Sequence, residues 1–138
     1  MMNLVIVTPE RNVVGPIPVQ SVTVPGAKGE MTVLPGHARL VSNLEMGTVS
    51  FERENGKKEF ASISDGYIEV IQDRVVVLAE TLELAQEIDV ERAKKAKQLA
   101  EEKLSAKEHF EEDMQKWQRK YALALIRLQT AEYLLPPH

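Results

Sequence analysis

The first part of the chain alternates between short apolar stretches and turn-forming residues. Seven stretches are rich in β-branched or aromatic residues, and many of them alternate apolar with polar positions. Because successive side chains of a strand point to opposite faces, this alternation predicts strands with one buried face. The predicted strands are Leu4–Val7, Val19–Val24, Met31–Leu34, Val49–Arg53, Phe60–Ile63, Tyr67–Ile71 and Val75–Ala79.

The segments between these strands carry typical turn residues. The pairs are Pro25-Gly26, Lys28-Gly29, Pro35-Gly36, Asn55-Gly56 and Asp65-Gly66. Asn-Gly between two strand-like runs is the strongest local signal for a hairpin. Several short strands at this spacing predict a β-sandwich or a barrel.

Beyond residue 86 the apolar positions recur at spacings of three and four, which predicts helix. Asp89 is a suitable N-cap, and Glu91 in the first turn is favourable to the helix dipole. A first, narrow stripe consists of Ala93, Ala96, Ala100 and Leu104. A second stripe has a seven-residue repeat, the pattern of a coiled-coil seam, at Phe110, Met114, Trp117, Tyr121, Ala124, Leu128, Ala131 and Leu135. Pro136-Pro137 are predicted to end this helix.

The break between the two helical stripes is weakly marked. No Gly or Pro occurs between Tyr67 and Leu135, and only Ser105 and Asp113 are candidate caps. One continuous helix over residues 89–135 would be about 70 Å long. We expect a hairpin in the isolated chain, because the alanine stripe can then cover the aromatic stripe. An extended arm is the alternative where a partner covers the seam.

These patterns predict an α+β protein with two domains, residues 1–86 and 87–138. The net charge of −4 gives no basic signature for nucleic acid. No run of 18 apolar residues exists, so no membrane-spanning helix is predicted. The absence of Cys excludes disulfides and thiolate metal sites. The N-terminal segment lacks the features of a signal peptide, so we expect a cytoplasmic-facing protein.

The sequence offers little support for catalysis. It contains no phosphate-binding loop and no Gly-x-Gly-x-x-Gly motif. His37, His109 and His138 lie far apart and lack metal-ligand spacing. The carboxylates Glu101 and Glu102 are interpreted as a solvated helix face that pairs with nearby lysines. We therefore predict no catalytic residue and no metal site, and a protein that binds partners.

The order of motifs resembles a known family over essentially the whole chain. The resemblance is carried by Val7-Thr8-Pro9-Glu10, Gly29–Ala38, Ser64–Val70, Val75–Thr81 and Ile88–Ala93. Within these, Glu-x-x-x-Leu-Pro-Gly-His-Ala and Ile-Asp-x-x-Arg-Ala are the specific signals. The chain is similar to the epsilon-subunit family of bacterial-type F-type ATP synthases.

The resemblance implies an N-terminal antiparallel β-sandwich of about ten strands and a C-terminal two-helix hairpin. It implies a non-catalytic rotor subunit of the central stalk, which couples proton-driven rotation of the c-subunit ring to ATP synthesis. The implied partners are the gamma subunit, the c ring and, when the helical arm is extended, the alpha/beta catalytic head. In that extended state the arm is expected to inhibit ATP hydrolysis. The implied location is the cytoplasmic face of the bacterial inner membrane, without insertion into the bilayer.

The resemblance also implies two sets of site residues. The loop Gly29–Arg39 corresponds to the segment that faces the c ring, with Glu30 and His37 as candidate contacts. A nucleotide site in some family members corresponds here to Glu83, Asp89, Arg92, Ala93 and Arg127. Leu99 and Leu123 stand where those members have arginine.

We therefore expect weak or absent ATP binding and no other cofactor. The alternative for Asp89 is a purely structural cap. The alternative functions are a stand-alone ATP-sensing module and a small enzyme built on the sandwich.

Overall fold

The computed structural model describes residues 1–106 and 111–135. Contacts divide the chain into two compact units, one ending at Leu84 and the other beginning at Ala85. The first unit consists of strands and the second of helices, so the predicted α+β class is confirmed. The division falls two residues before the boundary predicted at residue 86.

The first unit contains nine strands within the described residues, where about ten were expected. Most of them alternate between buried and more exposed positions, as period-two packing requires. The strands are β1 Met2–Val7, β2 Asn12–Gly26, β3 Gly29–Val33, β4 Leu40–Leu44, β5 Gly47–Arg53, β6 Lys58–Ile63, β7 Gly66–Ile71, β8 Arg74–Ala79 and β9 Leu82–Leu84.

Three strand segments were missed by the sequence patterns. β4 has Ser42 at an inward position, which hides its alternation. β9 is only three residues long. The first half of β2 contains Gly15, Pro16 and Pro18, which indicate a turn when they are read locally. Proline is tolerated in strands at edges and bulges, and the β1–β2 register shifts twice beside this segment.

Five strands close into a ring in the order β1, β8, β7, β4, β2, and β2 returns to pair with β1. Four of these pairings are antiparallel, and the β1–β8 pairing is parallel. The sandwich is antiparallel, as expected, except at this pair. The reason is geometric, since strand direction cannot alternate all the way around a closed ring with an odd number of members.

The long strand β2 connects the ring to a second layer. Its second half pairs with β3 and with β5, and β6 and β9 continue the layer beyond β5. A register shift between Val19 and Ser21 accompanies the passage of β2 between the layers, as bulges bend strands. The inward side chains form one apolar core, whose largest fully buried members are Phe51, Met2, Leu4, Ile6, Ile63 and Ile68.

The second unit is a helical hairpin, as predicted. A 3₁₀ turn over Ala85–Glu87 precedes α1, Val90–Leu104, and α2 spans Glu111–Glu132. α1 packs against α2. The helices are antiparallel, because Lys103 near the end of α1 lies over Trp117 near the start of α2. None of the helices in residues 1–106 and 111–135 has both the length and the hydropathy needed to cross a bilayer.

The ends of the helices follow most of the predicted signals. The Asp89 side chain accepts a hydrogen bond from the Arg92 backbone N–H at 3.1 Å, which confirms the N-cap. Ser105 is the C-cap of α1, whereas Asp113 lies inside α2. α2 ends at Glu132, earlier than Leu135, and three backbone bonds of the i to i+3 type close the next turn. The predictions at His109, Phe110, Pro136, Pro137 and His138 lie outside the described residues.

The interface between the helices is built around small side chains. Ala93 and Ala100 of α1 are fully buried, and Ala124 of α2 is 2% exposed. Thr130 is also fully buried, and its Oγ1 donates to the Ile126 carbonyl at 2.7 Å, which satisfies the hydroxyl proton inside the interface. Small residues allow close approach of the two backbones, so a larger side chain at these positions would force the helices apart.

Candidate functional site

One outer face of the strand ring is unusually apolar. The parallel register aligns Val5 with Val76 and Val7 with Leu78. In the row of Val76, Glu69 of β7 comes next and Val41 of β4 follows it, so a carboxylate separates Val41 from the other apolar side chains. These side chains alternate with the core residues of their strands, so they project away from the core. We call this surface the outer apolar patch; it consists of Val5, Val7, Val41, Val76 and Leu78.

The outer apolar patch is incompletely covered. Val41 is 51% exposed and Leu78 is 45% exposed. Beside Leu78 lies an open cavity of about 430 Å³, whose other lining residues are Val7, Thr8, Pro9, Ala79 and Glu80. Exposed apolar side chains among polar residues are typical of protein–protein contact sites.

Sequence reasoning did not identify this patch, although a signal was present. The segments Leu4–Val7 and Val75–Ala79 are continuous apolar runs that lack the alternation of the other strands. Such runs are typical of strands that are covered on both faces. In β1 and β8 one face packs into the core, and the other forms the patch.

The predicted contact residue His37 lies in a tight turn after β3. The His37 backbone N–H donates to the Leu34 carbonyl at 3.1 Å, and Gly36 has a φ of +81°. Proline at the second position and a positive φ at the third are typical of a type II turn. The His37 ring is exposed, and its Nδ1 donates to the Ala38 carbonyl at 2.8 Å. In the neutral ring Nε2 is then left as an acceptor.

Glu30 lies at the opposite end of β3 from this turn. It is exposed and pairs with Pro25 across the β2–β3 hairpin. At the rise of a strand, its Cα is about 13 Å from that of Leu34. The two predicted contact residues therefore belong to one strand and its following turn, but their side chains do not form a single cluster.

The predicted nucleotide residues lie in both units. Glu83 is a half-buried residue of β9 in the first unit. Asp89, Arg92 and Ala93 form the cap and first turn of α1, and Ala93 is fully buried. Arg127 lies on α2, half-buried.

Within the second unit, Arg127 lies level with the first turns of α1. The adjacent residue Leu128 lines a cavity of about 300 Å³ together with Val90 and Lys94. The charged candidates of the hairpin are therefore placed at its open end. The Asp89 carboxylate accepts a hydrogen bond from the Arg92 backbone N–H. This is the purely structural capping role that the sequence offered as the alternative to nucleotide binding.

The two positions that lack arginine are open to substitution. Leu99 is 45% exposed on α1, and Leu123 is half-buried on α2. A phosphate chain is best held by several charge-assisted donors, and neither leucine supplies one.

Lysines surround Trp117 on the hairpin. The ammonium groups of Lys120, Lys116 and Lys103 lie 4.8, 5.3 and 5.9 Å from the ring centroid. These distances permit cation–π attraction, and the Lys103 contact links α1 to α2. Glu101 pairs with Lys97 at 3.7 Å, which agrees with a solvated helix face. Within the described residues, no group of three or more His, Asp or Glu side chains could hold a metal ion.

Exposed apolar side chains on one outer face of the β-sandwich are typical of proteins that bind a protein partner. Models of protein families match both units. Residues 1–85 match the β-sandwich domain of the ATP synthase delta/epsilon chain, and residues 86–132 match its long α-helix domain. The chain therefore belongs to the ATP synthase delta/epsilon chain family.

Individual relatives agree with this assignment. The ATP synthase epsilon chain of Bdellovibrio bacteriovorus is 38% identical over 132 residues, which cover 95% of this chain and 94% of the relative. That of Desulforamulus reducens is 49% identical over 102 residues, covering 74% of this chain and 76% of the relative.

Solved structures extend the similarity to the fold. A chain in the Euglena gracilis mitochondrial ATP synthase (OSCP/F1/c-ring in rotational state 1) has a TM-score of 0.77 and 27% identity, covering 96% of this chain and 81% of that one. A chain of the Tetrahymena thermophila mitochondrial ATP synthase central stalk and c ring has a TM-score of 0.65 and 10% identity, covering 94% and 96%. This second similarity concerns the fold alone. As a member of the family, the protein is a non-catalytic rotor subunit of the central stalk.

Proposed function

We propose that the first unit connects the parts of the rotor. It binds the gamma subunit through the outer apolar patch and faces the c ring through the loop Gly29–Arg39. The observation that carries the proposal is the exposure of Val41 and Leu78 on an apolar sheet face. Burial of a fully exposed side chain of this kind contributes about 1.5–3 kcal/mol, and these two, which are about half exposed, would contribute about half of that each.

Binding to gamma should depend on the patch and not on the helices. We expect the double variant Val41→Asp/Leu78→Asp to abolish capture by an immobilised gamma subunit, because each carboxylate would have to lose water in the interface. The truncated chain 1–87 should bind gamma nearly as well as the full chain.

The matched control is Leu99→Asp, since Leu99 has the same 45% exposure as Leu78 but lies on α1. This variant should bind gamma normally. Normal capture of the double variant, or equal loss with Leu99→Asp, would contradict the assignment of the patch.

In this proposal the second unit is a movable regulatory arm. It is a hairpin in one state and extends towards the alpha/beta catalytic head in another, where it inhibits ATP hydrolysis. The weakly marked connection between the stripes and the small-residue interface of α1 with α2 support two states of similar free energy. In this proposal the chain lies at the cytoplasmic face of a bacterial inner membrane and is held there by its partners.

The alternative function, an ATP-sensing module, makes a separate prediction. We expect calorimetric titration of the chain with millimolar ATP to give no binding heat, because Leu99 and Leu123 provide no donors. The variant Leu99→Arg/Leu123→Arg should gain measurable affinity, since each added charge-assisted bond contributes about 1.5–3 kcal/mol.

Arg92→Ala in the background of that double variant is the control, and it should remove the gained affinity. Tight ATP binding by the unaltered chain would favour the sensing module and would assign Asp89 and Arg92 a role beyond capping.

A further inference from the structure

The turn at Leu34–His37 is held by a residue from a different part of the sandwich. The Asp73 carboxylate Oδ1 accepts a hydrogen bond from the Gly36 backbone N–H at 2.8 Å, across 37 residues of sequence. Asp73 lies in the tight connection between β7 and β8. No motif in the sequence links these two segments.

The geometry of the turn explains why this bond matters. A type II turn pairs only the carbonyl of its first residue with the N–H of its fourth. Pro35 has no N–H, so the Gly36 N–H is the one donor of the two central residues. The Asp73 carboxylate is its acceptor in this structure, and bonds to a charged acceptor are stronger than neutral ones.

The backbone of Asp73 is itself fixed in a rarely used conformation. Gln72 and Asp73 have φ values of 48° and 62°, and Ile71 pairs with Arg74 across them. Both central residues at positive φ are typical of a type I′ hairpin, in which Asp is tolerated better than most residues. The Asp73 carbonyl also accepts a bond from the Asn3 N–H at 2.8 Å, which ties the hairpin to the start of β1. The carboxylate is therefore held in place before it meets Gly36.

The turn presents an unusual surface. Leu34 is 55% exposed beside the exposed His37 ring, so an apolar side chain and an imidazole project from the same four residues. Covering an exposed apolar side chain with a partner lowers the free energy of the complex. A turn that is already held in shape loses less conformational entropy on binding.

We propose that Asp73 is a positioning residue for rotor docking: its carboxylate holds the Leu34–His37 turn in the shape in which it contacts the c ring. This inference rests on the proposed contact between the loop Gly29–Arg39 and the c ring. It adds a residue from β7–β8 that the family motifs quoted above do not include. Asp73 acts through the turn and does not need to touch the partner.

The first test measures the turn in the isolated chain. Hydrogen exchange of the Gly36 amide is followed by NMR in the unaltered protein, Asp73→Gly, Asp73→Asn and Gln72→Gly. Glycine at position 73 accepts positive φ but has no carboxylate, so exchange should accelerate at least about tenfold. Asparagine keeps an acceptor oxygen and should restore most of the protection. Gln72→Gly alters the neighbouring positive-φ position and should leave Gly36 unaffected.

The second test measures docking in the assembled synthase. The chain contains no Cys, so His37→Cys introduces a unique thiol for cross-linking to the c ring. We expect the cross-linking yield to fall several-fold when Asp73→Gly is added and to persist when Asp73→Asn is added. Recovery with asparagine separates positioning from a general loss of stability.

The outcomes are distinguishable. Unchanged Gly36 exchange in Asp73→Gly overturns the inference, and so does faster exchange with an unchanged cross-linking yield. If His37→Cys gives no cross-link even with Asp73 intact, the proposed c-ring contact is wrong and the inference falls with it. Faster exchange and reduced cross-linking in Asp73→Gly, reversed by asparagine, support the inference.

Discussion

Gly15→Ala is expected to destabilise the first unit by about 2–5 kcal/mol or more. Gly15 has a φ of +85°, and a Cβ at this position would lie 2.0 Å from the Leu4 carbonyl oxygen. The positive φ costs about 1–2 kcal/mol for a residue with a side chain. The steric conflict with a backbone atom adds about 1–3 kcal/mol or more, since a carbonyl in a paired strand cannot rotate away.

Gly56→Ala is the matched control for this prediction. Gly56 has nearly the same φ, +87°, but a Cβ there would meet nothing within 4 Å. It should cost only the conformational penalty, about 1–2 kcal/mol. The measurement is urea unfolding followed by the NMR amide signals of the strands. Tryptophan fluorescence would not serve, because Trp117 lies in the helical unit. Equal destabilisation by the two variants would refute the steric argument.

Removal of residues 88–138 is expected to raise ATP hydrolysis several-fold in the assembled synthase. In the proposed function these residues are the arm that reaches the catalytic head and inhibits it. The truncated chain keeps the outer apolar patch, so the rotor should still assemble. The measurement is steady-state ATP hydrolysis by synthase reconstituted with either form of the chain.

A substitution in the hairpin should have the opposite effect. Ala100 is fully buried on α1, which packs against α2, and Ala100→Leu would overpack this interface by about 1–3 kcal/mol. The equilibrium would then move towards the extended arm, and hydrolysis should decrease. Gln98→Leu adds the same side chain at an exposed position of α1 and should leave hydrolysis unchanged. Increased hydrolysis with Ala100→Leu would argue against an inhibitory extended state.

Much of the local structure could be predicted from the sequence. The apolar period changes from two to between three and four after residue 86, and strands give way to helices there. Asp89 caps α1, as its position before a helical pattern indicates. The Asn55-Gly56 pair forms the β5–β6 hairpin, where the Arg53 N–H bonds the Lys57 carbonyl. These features depend on interactions between residues a few positions apart, and a local pattern therefore contains them.

Other features could not be predicted from local patterns, because they arise from pairings between distant residues. The segment around Gly15 and Pro16 has the composition of a turn, yet pairing with β1 draws it into β2. β1 pairs with β8 in parallel because five strands close a ring.

The sequence by itself determined the two-part architecture, the Pro35-Gly36 and Asn55-Gly56 turns and the helix cap. The tertiary structure decided which strand faces form the outer apolar patch. It also decided that the Asp73 carboxylate accepts the hydrogen bond of the Gly36 N–H. The physical reason is that period and propensity act within a few residues, whereas register, ring closure and the hydrogen bonds of loops depend on segments that meet only after folding.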